Sequence, residues 1–246
     1  MKKRLAVVTG GMGGIGHAIC RELHQQGITV VAAYSRQHDA AISWLDEQKQ
    51  AGFDFNIAYV DVTDFQSCEE LVAKIESELG PIDILINNAG ITRDGACSKM
   101  KKEDWDIVIN TDLNSVFYMT HAIINGMRER RYGRIINISS INGQKGQYGQ
   151  VNYSAAKAGM HGFTKALALE VAKHGVTVNT VSPGYVATDM VMAVPENIRD
   201  KILAEIPMGR FADPEDIARV VAFLADDKNS YITGANIAIN GGHYML

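Results

Sequence analysis

Cysteine is scarce in this sequence of 246 residues: there are three, Cys20, Cys68 and Cys97, far apart and odd in number. That pattern excludes a disulfide framework and a zinc site of paired cysteines, and makes a reducing compartment the expectation. An excess of either charge is missing too. With a formal net charge of -4 and interspersed signs, the chain has no electrostatic pull toward nucleic acid or an anionic membrane. The one dense cationic run, Arg128 to Arg134, reads as a solvated helix end. Long apolar runs are absent. The start, MKKRLAVVTGG, is basic, but Leu5 to Val8 is too short for a signal-peptide core or a membrane span, so a cytoplasmic protein is expected. The seven histidines lack ligand spacing, and no metal site is expected. No G-x-S-x-G turn or Ser/His pairing points to a hydrolase.

What is present is material for a large α/β core, since 46% of residues are hydrophobic and 21% charged. Short β-type runs recur: LAVVT (5–9), ITVVAAY (28–34), NIAYVD (56–61), IDILIN (82–87), RIINIS (134–139), VTVNTVS (176–182) and NIAIN (236–240). They are mostly continuous apolar runs, as expected for strands covered on both faces of a parallel sheet. Between them lie helical patterns with apolar residues three or four apart, such as Ile15, Ile19 and Leu23, then Leu71, Val72, Ile75 and Leu79, and later Ile217, Val220, Val221 and Leu224. Cys20, on the first of these, reads as core. Alternating strand and helix with right-handed crossovers predicts one doubly wound, Rossmann-type α/β domain over 1–246. Its parallel sheet has about seven strands, and ligands gather beyond their C-terminal ends. Residues 185–213, rich in methionine and carrying Pro195 and Pro207, are expected to form a lid.

The first strand runs directly into TGGMGGIG, Thr9 to Gly16, and then a helix. Glycines let a diphosphate approach the backbone, and the helix end offers unpaired N–H groups to negative charge. The spacing reads TGxxxGxG, with Gly10, Gly14 and Gly16 in fixed positions after Thr9. At the end of the second strand an acid would hold a ribose 2′-OH and an arginine a 2′-phosphate. Here AAYSRQ offers Ser35 and Arg36 and no acid until Asp39, which favours NADP(H). An ordinary surface arginine is the alternative.

Farther on, Tyr153 and Lys157 stand at i and i+4, one turn apart on one helix face. A free phenol, with a pKa of about 10, exchanges protons poorly at neutral pH; a nearby cation favours the phenolate and makes it a usable acid. Ser140 closes the preceding strand, where its hydroxyl could bond the same carbonyl oxygen. The trio reads as a site for carbonyl reduction, although YSAAK alone is also compatible with an ordinary helix start.

Together, TGGMGGIG, NNAG (Asn87 to Gly90), Ser140, YSAAK and PGYVATDM resemble the short-chain dehydrogenase/reductase family over essentially the whole chain. The resemblance implies homotetrameric oxidoreductases in which Tyr153 is the general acid/base, Lys157 holds the nicotinamide ribose and strengthens the phenol as an acid, and Ser140 orients the carbonyl. It further implies that Gly13 and Ile15 back the diphosphate and that Asp61 and Val62 flank the adenine. Asn88, Ala89 and Gly90 would line the ribose side, and Pro183, Gly184 and Thr188 would close over the nicotinamide end. Many members carry a fourth residue, an asparagine five positions before a phenylalanine, acting in a proton relay largely through its main-chain carbonyl. This chain has Asp112 before Phe117, so a relay role and a hydrogen-bonding role at a helix kink both stay open.

Between Ser140 and Tyr153 the sequence INGQKGQYGQVNY sets glutamines beside a ring, suited to a small polar acyl group. This stretch, with GITRD and PGYVATDM, is similar to the family's bacterial branch that uses NADPH to reduce acetoacetyl-CoA to (R)-3-hydroxybutyryl-CoA for polyhydroxyalkanoate synthesis. By that resemblance Asp94, Gln147, Tyr148, Gln150 and Tyr185, with Ser140, are substrate-contact candidates; loop-shaping roles are the alternative. The 3-oxoacyl-(acyl-carrier-protein) reductases of fatty-acid synthesis share most of these motifs. They receive the acidic carrier on a basic pair, matched here by Arg131 and His174, of which only one is reliably cationic. A reading of another class is an NADP(H)-binding sensor or scaffold without turnover.

Overall fold

The computed structural model describes residues 3–35 and 38–245, so Arg36 lies outside the described residues. All seven expected strands form: β1 (Leu5–Thr9), β2 (Thr29–Tyr34), β3 (Asn56–Tyr59), β4 (Ile84–Asn87), β5 (Gly133–Ile138), β6 (Val176–Pro183) and β7 (Asn236–Ile239). The helices are α1 (Gly14–Gln25), α2 (His38–Gln50), α3 (Phe65–Leu79), α4 (Lys102–Ile109), α5 (Ser115–Arg130), α6 (Asn142–Lys145), α7 (Val151–Val171), α8 (Asp189–Met192), α9 (Glu196–Glu205) and α10 (Pro214–Ala225).

The strands make one parallel sheet in the order β3-β2-β1-β4-β5-β6-β7. Alternation across the sheet explains the continuous apolar runs. Ala6 and Val8 of β1 pack with Ile19 and Leu23 of α1 and Val221 of α10, whereas Leu5 and Val7 pack with Leu71 and Ile75 of α3 and Ile123 of α5. Each face therefore has its own core. Shortening a fully buried side chain such as Ile86 to alanine should cost about 2–5 kcal/mol.

Helix starts are set locally. Asp64 caps α3 by accepting the Gln66 N–H at 2.9 Å, and α10 begins with Pro214 inside a capping box of Asp213 and Asp216. Helix α1 has no side-chain cap at its N-terminus. The strand order reverses direction between β1 and β4, so the connections leaving these neighbours diverge and open a crevice at their C-terminal ends.

Two expectations need correction. Arg134 does not belong to a solvated helix end: it lies on β5, 2% exposed, with its guanidinium carbon 4.6 Å from the centre of the Tyr132 ring. Arg128 and Arg131 are exposed as expected. Leu79, placed on the apolar stripe of α3 by its spacing, is exposed at the last turn. Cys20 is fully buried in the core beneath α1. Residues 185–213 leave β6, form α8 and α9, and return beside their own start. There the Ala187 N–H donates to the Ala212 carbonyl at 2.8 Å and the Ala212 N–H to the Tyr185 carbonyl at 3.0 Å. Among the described residues, no helix is long and apolar enough to cross a membrane.

Candidate active site

The crevice holds a cavity of about 500 Å³, and its floor is built by hydrogen bonds that tie the end of β1 to the end of β4. The Thr9 hydroxyl accepts the N–H groups of Asn88 and Ala89, each at 3.0 Å, and the Asn88 amide donates to the carbonyls of Thr9 at 3.0 Å and Gly10 at 3.1 Å. The glycine loop is thereby fixed beside NNAG. A Cβ on Gly16 would overlap the Gly10 carbonyl, so the loop folds back on itself only because that position has no side chain. With α1 uncapped, its first N–H groups are free for an anion.

Most of the residues expected around a dinucleotide meet on this cavity. Gly10, Gly13, Gly14, Ile15 and Gly16 form one wall. Ser35 and Val62 also line it, and Asn88, Ala89 and Gly90 lie along the floor. Pro183, Gly184 and Thr188 line it as well, Thr188 close against Gly14 of the glycine loop. The glycine cradle and the uncapped helix fit a nicotinamide dinucleotide. Asp61 does not join them: its carboxylate accepts the Thr63 N–H at 2.9 Å and the Thr63 hydroxyl at 2.7 Å, which shapes the turn after β3.

Ser140, Tyr153 and Lys157 share the wall of the same cavity. Helix α7 carries Tyr153 and Lys157 on one face, with the Lys157 Nζ 5.4 Å from the centre of the Tyr153 ring. Lys157 is 3% exposed and donates to the Ile138 carbonyl at 3.0 Å, while the Ser139 hydroxyl donates to the Lys157 carbonyl at 2.8 Å. The strand end therefore grips the helix at the lysine. Ser140, just beyond β5, accepts the Asn142 N–H at 3.1 Å, which orients its oxygen.

Asp112 sits in a π-helical turn, Asn110–Asn114, between α4 and α5, and is fully buried. Its Oδ1 accepts the Ile91 N–H at 2.9 Å, and its Oδ2 lies 3.3 Å from the Lys157 Nζ. Burial pushes the Asp112 carboxyl above its ordinary range, while Lys157 and the Ile91 N–H pull the other way. Removing one partner of a buried pair commonly costs about 3–5 kcal/mol.

The expected substrate contacts do not form one group. Gln150 donates to both carboxylate oxygens of Asp94 and accepts from the Asn142 amide at 2.9 Å, so these side chains bind one another. Gln147 and Tyr148 are exposed on the loop before α7, Tyr148 at 89%. Tyr185 stacks on His243 with ring centres 5.9 Å apart and lines a second cavity of about 380 Å³ with Ile206, Met208 and Asn240. Burial, then Glu205 and Asp94, push the Tyr185 phenol up.

Some site residues escaped the sequence reading. Asn152 is fully buried; its amide donates to the carbonyls of Arg93 at 3.0 Å and Asp104 at 3.1 Å, and its Oδ1 accepts the Tyr153 N–H at 2.8 Å. It anchors the start of α7, and an asparagine at a helix start beside the tyrosine was a readable signal. Met12, Thr111 and Asp189 also line the cavity. The Ile138 carbonyl had no signal, because a backbone acceptor is invisible in side-chain identity.

Comparison with known proteins agrees with this geometry. Residues 4–199 match the family model described as short chain dehydrogenase. The chain is 54% identical to the acetoacetyl-CoA reductase of Cupriavidus necator over 245 residues, covering 100% of both chains. It is 53% identical to the acetoacetyl-CoA reductase of Allochromatium vinosum, covering 98% of this chain and 99% of the relative. It is 46% identical to the 3-oxoacyl-(acyl-carrier-protein) reductase FabG of Vibrio harveyi, covering 100% of this chain and 99% of that one.

Proposed function

The chain belongs to the short-chain dehydrogenase/reductase family, and from that premise we propose that it reduces acetoacetyl-CoA with NADPH to (R)-3-hydroxybutyryl-CoA. One observation carries the chemistry: Ser140, Tyr153 and Lys157 stand on the wall of the cavity that the glycine loop also builds. Support for the substrate comes from full-length identity of 54% and 53% to the acetoacetyl-CoA reductases of Cupriavidus necator and Allochromatium vinosum, against 46% to the Vibrio harveyi carrier-protein reductase. Product use in polyhydroxyalkanoate synthesis, a cytoplasmic setting and a homotetramer complete the proposal.

When held by the glycine loop, a nicotinamide cofactor would supply the hydride for the ketone carbon. Tyr153 gives its phenolic proton to the ketone oxygen as charge develops there, which completes reduction to the alcohol. Ser140 donates a hydrogen bond to that oxygen and fixes the reacting face. Lys157, with one N–H given to the Ile138 carbonyl, would hold the cofactor's ribose with another and offset the negative charge left on Tyr153 after transfer. Residues 185–213, held at a closed base, would fold over the thioester and exclude water.

The test is NADPH consumption by purified protein with acetoacetyl-CoA, with chiral analysis of the product. Formation of the (R)-alcohol supports the assignment. Cofactor binding with no turnover on any short 3-oxoacyl thioester would make the protein an NADP(H)-binding sensor or scaffold.

A further inference from the structure

The buried acid of the π-turn, Asp112, touches the lysine of α7. The carboxylate of Asp112 is fully buried, and Lys157 is its one ion-pair partner among the described residues. The 3.3 Å contact is made by Oδ2, which has no hydrogen-bond partner there; Oδ1 is occupied by the Ile91 N–H. The contact is therefore one of charge more than of a directed bond. A Cβ on Gly90 would lie 2.9 Å from the Asp112 Oδ2 and 3.2 Å from the Lys157 Nζ, so the bare backbone at Gly90 leaves space for the two to meet.

The groups that face this pair are few. The π-turn contributes Asp112, the strand following the turn region contributes the Ile138 carbonyl, and α7 contributes Tyr153, whose ring centre is 5.4 Å from the Lys157 Nζ. The other titratable groups on the cavity wall, among the described residues, are Tyr34 and Asp189. An ammonium this close to a phenol favours the phenolate; a carboxylate against that ammonium returns the pair toward neutrality.

Resting on the reductase reading above, we propose that Asp112 is a positioning residue acting through Lys157: its charge withholds part of the lysine's field from Tyr153. The burial that raises the Asp112 carboxyl and the lysine that counters it make the two charges interdependent. Asparagine can keep the Ile91 contact through its amide oxygen while removing the charge, so Asp112→Asn isolates the electrostatic effect from the shape.

The experiment titrates cofactor-free wild type and Asp112→Asn by phenolate absorbance, each subtracted from its Tyr153→Phe counterpart to single out one of nine tyrosines. The Tyr153 phenolate should appear in Asp112→Asn about one pH unit or more lower than in wild type. The alkaline limb of kcat/KM for acetoacetyl-CoA reduction should move down equally. Gly90→Ala, which wedges the pair apart without removing either group, should shift both readouts in the same direction by less, and it serves if Asp112→Asn does not fold. Superimposable titrations, or a shift to higher pH, overturn the proposal. Wild type that fails to reduce acetoacetyl-CoA overturns the functional reading instead, and the phenolate titration still judges the pair.

Discussion

The side-chain amide of Gln150 reaches both carboxylate oxygens of Asp94, at 2.9 and 3.0 Å, and so joins the loop after β4 to the start of α7. Each side chain is the other's partner before any substrate arrives. If they act as one brace, Asp94→Ala and Gln150→Ala should each lower kcat/KM severalfold, mainly through KM, and the double variant should lose little more. The cycle should show a coupling of about 1 kcal/mol. Additive losses would mean that each residue contacts the thioester independently.

Tyr153→Phe keeps the ring and removes the proton. Turnover should fall on the order of a hundredfold or more while NADPH still binds. Neither Tyr148 nor Tyr185 is placed to take over: Tyr148 is almost fully exposed, and Tyr185 faces the second cavity with its phenol pushed up. Near-normal turnover would move the acid elsewhere.

Arg36→Asp should erode or reverse the preference for NADPH over NADH, because a guanidinium can bind a 2′-phosphate and an acid cannot. The ratio of kcat/KM for the two cofactors measures it, and an unchanged ratio would reassign the residue to the surface. Ser35, on the cavity wall, marks where the 2′-position should lie.

Gly16→Ala would ordinarily help a helix, by roughly 0.5–1 kcal/mol. Here the new Cβ would overlap the Gly10 carbonyl, so cofactor affinity should drop at least tenfold as the loop is forced open. Fluorescence titration with NADPH reads the effect; unchanged binding would remove the loop from the cofactor site.

We propose that carrier choice turns on His174. Burial, then Arg128, Lys173 and Arg131, hold its imidazole below the ordinary range, which leaves it neutral near pH 7. Arg131 is exposed and, on the resemblance to the carrier-protein reductases, would be one side of an incomplete basic pair. Acetoacetyl-CoA should show the higher kcat/KM in competition with acetoacetyl carrier protein, and His174→Lys should raise the carrier-protein rate at low salt alone. A wild-type preference for the carrier protein would move the enzyme to fatty-acid synthesis.

By itself the sequence determined the seven strands, the glycine turn and the Tyr153–Lys157 pair. Each is a local pattern: a strand covered on both faces reads as an apolar run, and positions i and i+4 share a helix face whatever surrounds them. Ser140 was legible because a residue that ends a strand must stand at the ligand edge of a parallel sheet. Only the tertiary structure decided that the Asp112 carboxylate meets Lys157 and that Gln150 is spent on Asp94. These contacts join elements far apart in sequence. Their partners are chosen by how helices cross the sheet and how loops pack at its edge, which local pattern does not encode.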